Sequence, residues 1–421
     1  MENFPKIFKI RQRSRAPKLK DVGRELTRKL EGFEPIRNIR QGERVGLTAG
    51  SRGIRDKPKV LKVLVNQLKA IGASPFLVPC MGSHGGATAE GQIEVLKSLG
   101  ITEESIGAPI VSSMEVQEIG RTKLGTPALV DKHLCQADRI IVVNRIKPHT
   151  DFKGDIESGL VKMMVIGMGK HAGALTAHQL TIKHGFPSVL SKVSSVILEK
   201  LPIWFGVGIV ENQCDETAFV ELLRPEELVE KEKLLLKKAR KLMPGLPFDQ
   251  MDVLIVDELG KNISGGGMDT NVIGRLSFIG SPKPKKPRIT RIFVRNLSQA
   301  THGNASGIGM ADFTTQRLMD KIDHAATQVN CITSMTPEDA RIPIAFNTDR
   351  EAISAAIETS GVLKTEDLRL VWIKNTLELE YLFGSQALLD EVRANPRLDV
   401  VGELSNFSFD QSQNLVSIWE S

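Results

Sequence analysis

Polar side chains capable of acid–base chemistry follow three apolar runs in the first half of the chain. These runs lead into residues 49–53 (AGSRG), 80–88 (CMGSHGGAT) and 147–150 (KPHT). Two of the three segments carry a histidine, His84 and His149, next to glycine or proline. Imidazole titrates near neutral pH, which suits a general acid or base. Loops flanked in this way are also places where functional residues concentrate.

The histidines are unevenly distributed along the chain. Six of the eight lie within about a quarter of it, namely His84, His133, His149, His171, His178 and His184. A single histidine more often caps a helix, packs or lies on the surface, and we expect this of His133 and His184. The cluster as a whole indicates a site in the first half of the chain.

Lys162 and Arg52 are the candidate cationic residues. Lys162 opens the apolar run 163–166 (MMVI), where a lysine usually extends its amine to water. The alternative is a partly buried, nucleophilic amine that bonds to a cofactor. Arg52, in a glycine-flanked turn, is either a surface charge or a residue that binds a carboxylate or phosphate through two hydrogen bonds. The segment 80–88 could also bind an anion at a helix N-terminus.

Other acidic and glycine-rich segments have simpler explanations. Asp257, Glu258 and Asp269 could form a metal site, but acids beside glycine are common turn residues, and we favour turns. Residues 302–307 (HGNASG) are a flexible loop that could cover a cleft. Residues 150–158 are predicted to be a largely solvated loop whose acids need no catalytic role.

The elements that position these residues alternate between strand and helix. Short apolar runs at 44–48, 75–79 and 139–143 are interleaved with helical spacing at 59–71 and 88–99. This alternation predicts an α/β fold with parallel-type sheets covered by helices. In such sheets ligands bind at the carboxyl ends of the strands, so the three polar segments should meet at one edge.

A break after a charged helix indicates a second domain. Residues 224–243 have a helical pattern, Pro-Gly-Leu-Pro follows at 244–247, and a new strand begins at 251. The length of 421 residues also exceeds one ordinary core. We therefore predict two α/β domains with the active site in the cleft between them. The predicted ranges are 1–247 for the N-terminal domain, 248–400 for the C-terminal domain, and 401–421 for a segment that returns to the N-terminal domain.

Composition excludes several classes of protein. The chain has 41% hydrophobic and 25% charged residues, a net charge of +6 and only 5% aromatic residues, which disfavours nucleic-acid binding by base stacking. The four cysteines show no CxxC spacing, which argues against zinc ribbons and disulfide frameworks and fits a reducing compartment. The basic N-terminus lacks the apolar stretch of a secretory signal, and no apolar run reaches the roughly 18 residues of a membrane span. We expect a cytoplasmic protein.

The pattern of His84, His149, Lys162 and His178 resembles the lactate racemase family over residues 48–178. The resemblance implies two α/β domains and a nickel-pincer nucleotide (nickel pyridinium-3,5-bisthiocarboxylic acid mononucleotide) as cofactor. It further implies an isomerase, a racemase or epimerase of a 2-hydroxy acid that works by hydride transfer to and from that cofactor.

The resemblance assigns roles to individual residues. It implies that His84 and His149 are the acid/base pair, that Lys162 joins the cofactor through a thioamide, and that His178 ligates nickel. The remaining matches are Arg52, near the anionic substrate and cofactor; Ser83 and Gly85, near the cofactor; and Asn271 and Arg275, near the substrate.

Departures from the family pattern fall on substrate-contacting positions. Ala49 stands where the family has an aspartate three residues before the arginine, and Gly85 stands where it has an arginine after the first histidine. The family's second-domain glutamine and lysine have no clear match, although Asn271 and Arg275 lie in a comparable place. The resemblance therefore implies the same chemistry on a substrate other than lactate.

Two histidine bases suit racemisation, because the hydroxyl proton must be removed and returned for either enantiomer. The partners implied are the 2-hydroxy acid and the enzymes that synthesise the cofactor, with homo-oligomerisation left open. One alternative is an inactive nucleotide- or anion-binding protein of the same fold. Another is a pyridoxal-phosphate enzyme with Lys162 as Schiff base, which leaves three histidines without a role.

Overall fold

A computed structural model describes most of the chain, which divides into two compact units. The described residues are 4–13, 16–123, 125–279, 281–282 and 284–419. Unit 1 comprises Met1–Arg15, Thr150–Phe152 and Pro244–Ser421, and unit 2 comprises Ala16–His149 and Lys153–Met243.

The strands are numbered β1 to β15 along the chain. In the described residues they are β1 Ile7–Gln12, β2 Arg44–Ala49, β3 Ser74–Pro79, β4 Val116–Arg121, β5 Pro127–Asp131, β6 Arg139–Arg145, β7 Ile203–Glu211, β8 Thr217–Leu223, β9 Gln250–Leu259, β10 Arg288–Leu297, β11 Phe313–Thr315, β12 Ile344–Phe346, β13 Leu370–Ile373, β14 Tyr381–Ser385 and β15 Leu398–Ser405.

The α-helices are numbered α1 to α14 in the same way. They are α1 Val22–Glu31, α2 Lys57–Ala70, α3 Ala89–Ser98, α4 Glu103–Ile106, α5 Lys132–Cys135, α6 Leu160–Lys162, α7 Lys170–His184, α8 Phe186–Lys200, α9 Leu228–Leu242, α10 Thr270–Ile273, α11 Gln316–Met319, α12 His324–Thr333, α13 Asp349–Glu358 and α14 Leu389–Ala394. A π-helical turn covers Met163–Gly167, and short 3-10 helices cover Glu34–Asn38, Gly85–Ala87, Pro225–Glu227, Gln299–Thr301, Ile308–Met310, Pro337–Ala340, Thr365–Asp367 and Gln386–Leu388.

Unit 2 is built on a five-stranded sheet in the order β3-β2-β6-β7-β8. The first four strands are parallel and β8 is antiparallel to β7. Val45, Leu47 and Ile141 are completely buried between the sheet and its helices, as expected of strands covered on both faces. The predicted strands at 44–48, 75–79 and 139–143 are confirmed as β2, β3 and β6. A separate hairpin, β4-β5, packs against α8.

The helices of unit 2 differ from their predicted bounds at the ends. Helix α3 begins at Ala89, and Thr88, at the start of the predicted helical segment, is its N-cap, as its residue type favours; its hydroxyl accepts the N–H of Gly91 at 3.0 Å. The pattern at 224–243 divides into the 3-10 turn Pro225–Glu227 and the helix α9.

Unit 1 contains an eight-stranded mixed sheet in the order β12-β11-β10-β9-β13-β14-β1-β15. The strands from β12 to β13 are parallel, and the last three neighbours pair antiparallel. The N-terminal strand β1 lies between β14 and β15, where Ile10 opposes Leu382 on one side and Val400 on the other. Both sheets thus fit an α/β fold.

The termini of the described chain are assigned to unit 1. We expected residues 1–15 in the N-terminal domain and residues 401–421 to return to it, with a boundary near 247. In the structure Phe4 packs against Phe407 and Phe409 with ring centroids 5.9 and 5.4 Å apart, and unit 1 begins its main segment at Pro244. Pairing between strands almost 400 residues apart leaves no local signal, which is why the sequence pattern missed it.

The described residues include no helix that is long and apolar enough to cross a membrane.

Ile10→Ala tests whether unit 1 depends on its N-terminal strand. Ile10 is completely buried, so the substitution should lower the free energy of unfolding of unit 1 by about 2–5 kcal/mol. Denaturant unfolding followed by tryptophan fluorescence in a Trp204→Phe background reports on unit 1, because Trp372 and Trp419 both lie there. Lys6→Ala, at an exposed position beside the same strand, should have little effect. Equal stability of the two variants would contradict the assignment.

Candidate active site

Three strand exits of unit 2 meet at one edge of its sheet, as predicted. β2 pairs in parallel with β3 on one side and with β6 on the other, so all three carboxyl ends point the same way. The register pairs Ala49 with Pro79, and the N–H of Cys80 donates to the carbonyl of Ala49 at 2.7 Å. The segments that carry Arg52, His84 and His149 therefore leave neighbouring strands.

His84 is oriented by the segment that follows β2. The hydroxyl Oγ of Ser51 lies 2.5 Å from the Nδ1 atom of His84. The imidazole is exposed, so it can reach a ligand in solvent. This contact joins the first and second polar segments and holds the ring in one orientation.

The loop that carries Arg52 is held by Lys57, a buried lysine at the start of α2. Its Nζ donates to the carbonyls of Gly50 at 2.7 Å and Arg52 at 2.9 Å. Burial, followed by repulsion from Arg145, lowers the pKa of Lys57 to about 8, while Glu211 opposes the shift. The sequence analysis missed Lys57. A lysine in the first turn of a helix, where the dipole disfavours cations, was the available signal.

The loop that carries His84 is held by Gln92 and Lys170, both completely buried. Gln92 Nε2 donates to the carbonyl of Gly82 at 2.9 Å and to that of His84 at 3.3 Å. Lys170 Nζ donates to Gln92 Oε1 at 3.1 Å and lies 3.3 Å from Asp131 Oδ2. Sequence patterns gave no reason to select Gln92 or Lys170, although each lies eight residues from a candidate site residue, because their complete burial is set by packing.

Gly85 occupies a backbone position that does not admit a side chain. Its φ is +67°, and a Cβ there would lie 2.5 Å from the carbonyl carbon of Gly91. Glycine at this position is therefore required by the close approach of the two backbone segments. An arginine at position 85 would need a different loop.

His149 and Lys162 are brought into direct contact. Nε2 of His149 and Nζ of Lys162 form a short hydrogen bond. The N–H of His149 donates to Glu157 Oε2 at 2.6 Å, and Lys153 Nζ donates to the carbonyl of His149 at 2.9 Å. Glu157 is completely buried and pairs with Arg240 at 2.8 Å.

These contacts correct the prediction that residues 150–158 form a largely solvated loop. Phe152, Ile156 and Glu157 are all buried. The prediction failed because the charges in the segment suggested solvent exposure, whereas Glu157 is turned inward to bind backbone N–H groups and Arg240.

Several cationic groups surround His149. Its pKa lies well below 6.5, first because the ring is removed from water, then because Lys162, Arg52, Lys153 and His178 repel its charged form. The imidazole is therefore neutral at pH 7 and can accept a proton. The same set of neighbours includes Arg52, Lys162 and His178, and their assigned roles stay predictions.

Phe186 packs between two of the histidines. Its ring centroid lies 6.3 Å from that of His149 and 5.6 Å from that of His178, and its side chain is buried. The sequence analysis missed Phe186, whose only signal was an aromatic residue directly after Gly185 at the start of α8.

Lys162 and His178 lie on one run of helical segments that is broken at Lys170, where φ is +53°. Helix α6 ends at Lys162, the π-helical turn Met163–Gly167 follows, and α7 carries His178. Single π-turns inside helices occur often at functional sites. This run connects the candidate cofactor anchor to the candidate metal ligand.

The predicted residues of the second half lie in unit 1 and bind within it. The side chain and the N–H of Asn271 both donate to Asp269 Oδ1 at 2.8 Å, at the N-cap of α10. Arg275 donates to the carbonyl of Met310 at 2.7 Å and pairs with Asp312 at 2.6 Å. Substrate binding by Asn271 and Arg275 stays a prediction.

The acids considered for a metal site in the second half have other partners. Asp257 accepts hydrogen bonds from Arg295 and Trp372, each at 2.6 Å. Asp269 caps α10, which agrees with the favoured turn assignment. Within the described residues, no group of three or more His, Cys, Asp or Glu side chains is arranged to hold a metal ion.

The chain is similar to lactate racemases in two respects. Residues 10–187 match the family model described as the lactate racemase N-terminal domain. The solved lactate racemase apoprotein from Thermoanaerobacterium thermosaccharolyticum is similar with a TM-score of 0.50 and 14% sequence identity, over 81% of this chain and 87% of that chain. At this identity the structural likeness concerns the fold alone. No curated protein matches the chain.

Lys162→Met tests the electrostatic environment of His149. Removing the ammonium group removes one of the charges that oppose protonation of the imidazole, so the pKa of His149 should rise. NMR titration of the imidazole measures the change. Lys183→Met, which removes an exposed lysine of α7, is the control and should leave the titration unchanged. A pKa that stays the same in Lys162→Met would contradict the described geometry.

Lys57→Met tests the support of the Arg52 loop. The carbonyls of Gly50 and Arg52 would lose this donor, which should lower the free energy of unfolding of unit 2 by roughly 1–3 kcal/mol. Lys62→Met removes an exposed lysine from the same helix and serves as the matched control. Trp204 fluorescence follows the unfolding of unit 2. If both variants are as stable as the unchanged chain, Lys57 does not support the loop.

Proposed function

Because residues 10–187 match the lactate racemase N-terminal domain, we propose that this chain is a member of the lactate racemase family and a racemase or epimerase of a 2-hydroxy acid, with a substrate other than lactate. The observation that carries the proposal is the arrangement around His149. The imidazole of His149 contacts the amine of Lys162 and has Arg52 and His178 as neighbours. This arrangement provides a base, an amine, a guanidinium and a second imidazole at one place in unit 2.

His149 would act as one of the two bases. Since its pKa lies well below 6.5, the ring is present as a neutral acceptor at physiological pH. The ring can remove the proton from the substrate hydroxyl. The surrounding positive charges then favour transfer of that proton from the imidazolium back to the substrate. His84, oriented by Ser51, would perform the same step for the opposite enantiomer.

The residues around His149 fit the nickel-pincer nucleotide, because an anionic nucleotide is favoured where Arg52, Lys153 and Lys162 lie together. When bound, this cofactor supplies the acceptor that takes the C2 hydride and returns it to either face. Lys162 would anchor it and His178 would provide an imidazole nitrogen for nickel. Ser83 and Gly85, in the loop of His84, would line its binding site.

Arg52 would bind the substrate carboxylate through a charge-assisted hydrogen bond. Its loop is fixed by Lys57, so the guanidinium extends from a rigid base. Asn271 and Arg275 are proposed to bind the substrate as well.

Gly85 supports the proposal of a different substrate. The loop geometry leaves no room for a side chain at this position, so the arginine that the family pattern has there makes no contribution here. A hydroxy acid with other polar groups, or with a different shape, would suit the altered site.

An inactive nucleotide- or anion-binding protein is the second candidate function. The cationic groups around His149 favour it, since they would attract a phosphate or carboxylate whether or not a reaction follows. For the racemase we further propose a cytoplasmic location and a supply of cofactor from its synthesis enzymes.

A racemisation screen tests the proposed function. The chain, produced together with the cofactor-synthesis enzymes, is incubated with single enantiomers of a panel of 2-hydroxy acids, and chiral chromatography measures the products. His84→Ala and His149→Ala should each lower the rate by about a hundredfold or more, since each removes a general base. His133→Ala, in the short helix α5, should retain activity.

The other outcomes separate the alternatives. Hydride transfer leaves C2 without label in deuterated water, whereas incorporation of deuterium at C2 would indicate proton abstraction. Protein without nickel, mass adduct or visible absorbance would favour the inactive binding protein. If borohydride traps pyridoxal phosphate on Lys162, the protein is a pyridoxal-phosphate enzyme and the racemase proposal is rejected.

A further inference from the structure

The third polar loop of the site, which leads to Lys162, is held by a buried carboxyl group. Glu232, on helix α9, is 1% exposed. Its Oε2 accepts the N–H of Leu160 at 2.7 Å and the N–H of Val161 at 3.0 Å. These are the first two residues of α6, and Lys162 is the third. Helix α9 therefore supplies the cap for the helix that carries Lys162.

Gly159 leaves the space that this carboxyl group occupies. A Cβ at position 159 would lie 2.4 Å from Glu232 Oε1. On its other side the carbonyl of Gly159 accepts a hydrogen bond from Asn144 Nδ2 at 2.8 Å, and Asn144 belongs to β6. The peptide before α6 is thus held between a central strand and a neighbouring helix.

Glu232 is an unusual residue for its place in the fold. It lies on the buried face of α9 with Leu228, Leu235 and Leu236, where an apolar side chain would be expected. Among the described residues its Oε1 has no hydrogen-bond partner, and burial raises its pKa to about 7. Burying this carboxyl group lowers the stability of the fold. Its hydrogen bonds to Leu160 and Val161 therefore indicate a role other than stabilisation.

We propose that Glu232 is a positioning residue that holds Lys162 against His149. A shift of the first turn of α6 would move the Lys162 side chain, whose Nζ contacts His149 Nε2. Glu232 thus fixes the backbone next to Lys162 by hydrogen bonds. Lys57 fixes the backbone at Arg52, and Gln92 the backbone at His84, in the same way. The placement itself does not depend on the reaction; only its catalytic importance rests on the proposed function.

Two substitutions at position 232 separate positioning from packing. Glu232→Gln keeps a carbonyl oxygen that can accept both N–H groups, whereas Glu232→Leu keeps the approximate size and removes the acceptor. Leu236→Ala, on the same buried face of α9, removes apolar packing but no acceptor for the N–H groups of α6, and is the matched control. All measurements use the full chain without added cofactor, so their outcome is independent of racemase activity.

The first measurement is hydrogen exchange of the backbone amides at Leu160 and Val161. Loss of a buried acceptor should accelerate exchange by roughly tenfold in Glu232→Leu. Glu232→Gln should exchange nearly as slowly as the unchanged chain. Similar rates in the Leu variant and the unchanged chain would show that the cap is not needed, and the proposal would fail.

The second measurement is the NMR titration of His149. If Lys162 leaves its place in Glu232→Leu, the pKa of His149 should rise toward its value in Lys162→Met, and the double variant should show no additional rise. Glu232→Gln and Leu236→Ala should titrate like the unchanged chain. Faster exchange with an unaltered titration, or the same rise in Leu236→Ala, would overturn the positioning role.

If Glu232→Leu does not fold, Glu232→Asp replaces it. Aspartate withdraws the oxygens by one methylene and should produce both changes in the same direction. An Asp variant that matches the unchanged chain in both measurements would overturn the proposal. Absence of racemisation together with the expected changes would reject the proposed function and leave the role of Glu232 intact.

Discussion

The parallel pairing of β2 with β3 and β6 is the constraint on which the candidate site depends. Parallel neighbours release their carboxyl ends at one edge of a sheet, so the residues after these strands meet without any contact between them along the sequence. Arg52, His84 and His149 lie 32 and 65 residues apart in sequence, yet Ser51 contacts His84 and Arg52 is a charged neighbour of His149. The chemistry of the site follows from the order of the strands.

Loops at a sheet edge need support, and here each loop is supported by a buried polar side chain. Lys57 binds the carbonyls of the first loop, Gln92 those of the second, and Glu232 the N–H groups that start the helix after the third. Burial of these groups costs free energy, and hydrogen bonds to backbone groups offset part of it. The benefit is a set of functional side chains with fixed positions, which general acid–base chemistry requires.

The electrostatics of the site follow from the same arrangement. Burial of the His149 imidazole, and then repulsion from Lys162, Arg52 and Lys153, hold the pKa of His149 well below its ordinary value. A site with this charge favours anionic ligands and keeps its base neutral. Both properties suit a 2-hydroxy acid and a nucleotide cofactor, and both arise from residues in unit 2.

The sequence by itself determined the local features of this protein. Apolar runs and helical spacing predicted β2, β3 and β6, and the types and spacing of His84, His149, Lys162 and His178 indicated a resemblance to the lactate racemase family. Such features depend on periodicity and on residue chemistry over short distances, which a sequence displays directly. Tertiary structure alone decided the rest: the place of β1 between β14 and β15, the assignment of the last residues to unit 1, the inward turn of Glu157, and the support by Lys57, Gln92 and Glu232. These depend on contacts that tertiary packing sets. Some join residues far apart in the chain, and others, such as those of Lys57 and Gln92, join residues five to ten positions apart, but no periodicity in the sequence marks either kind.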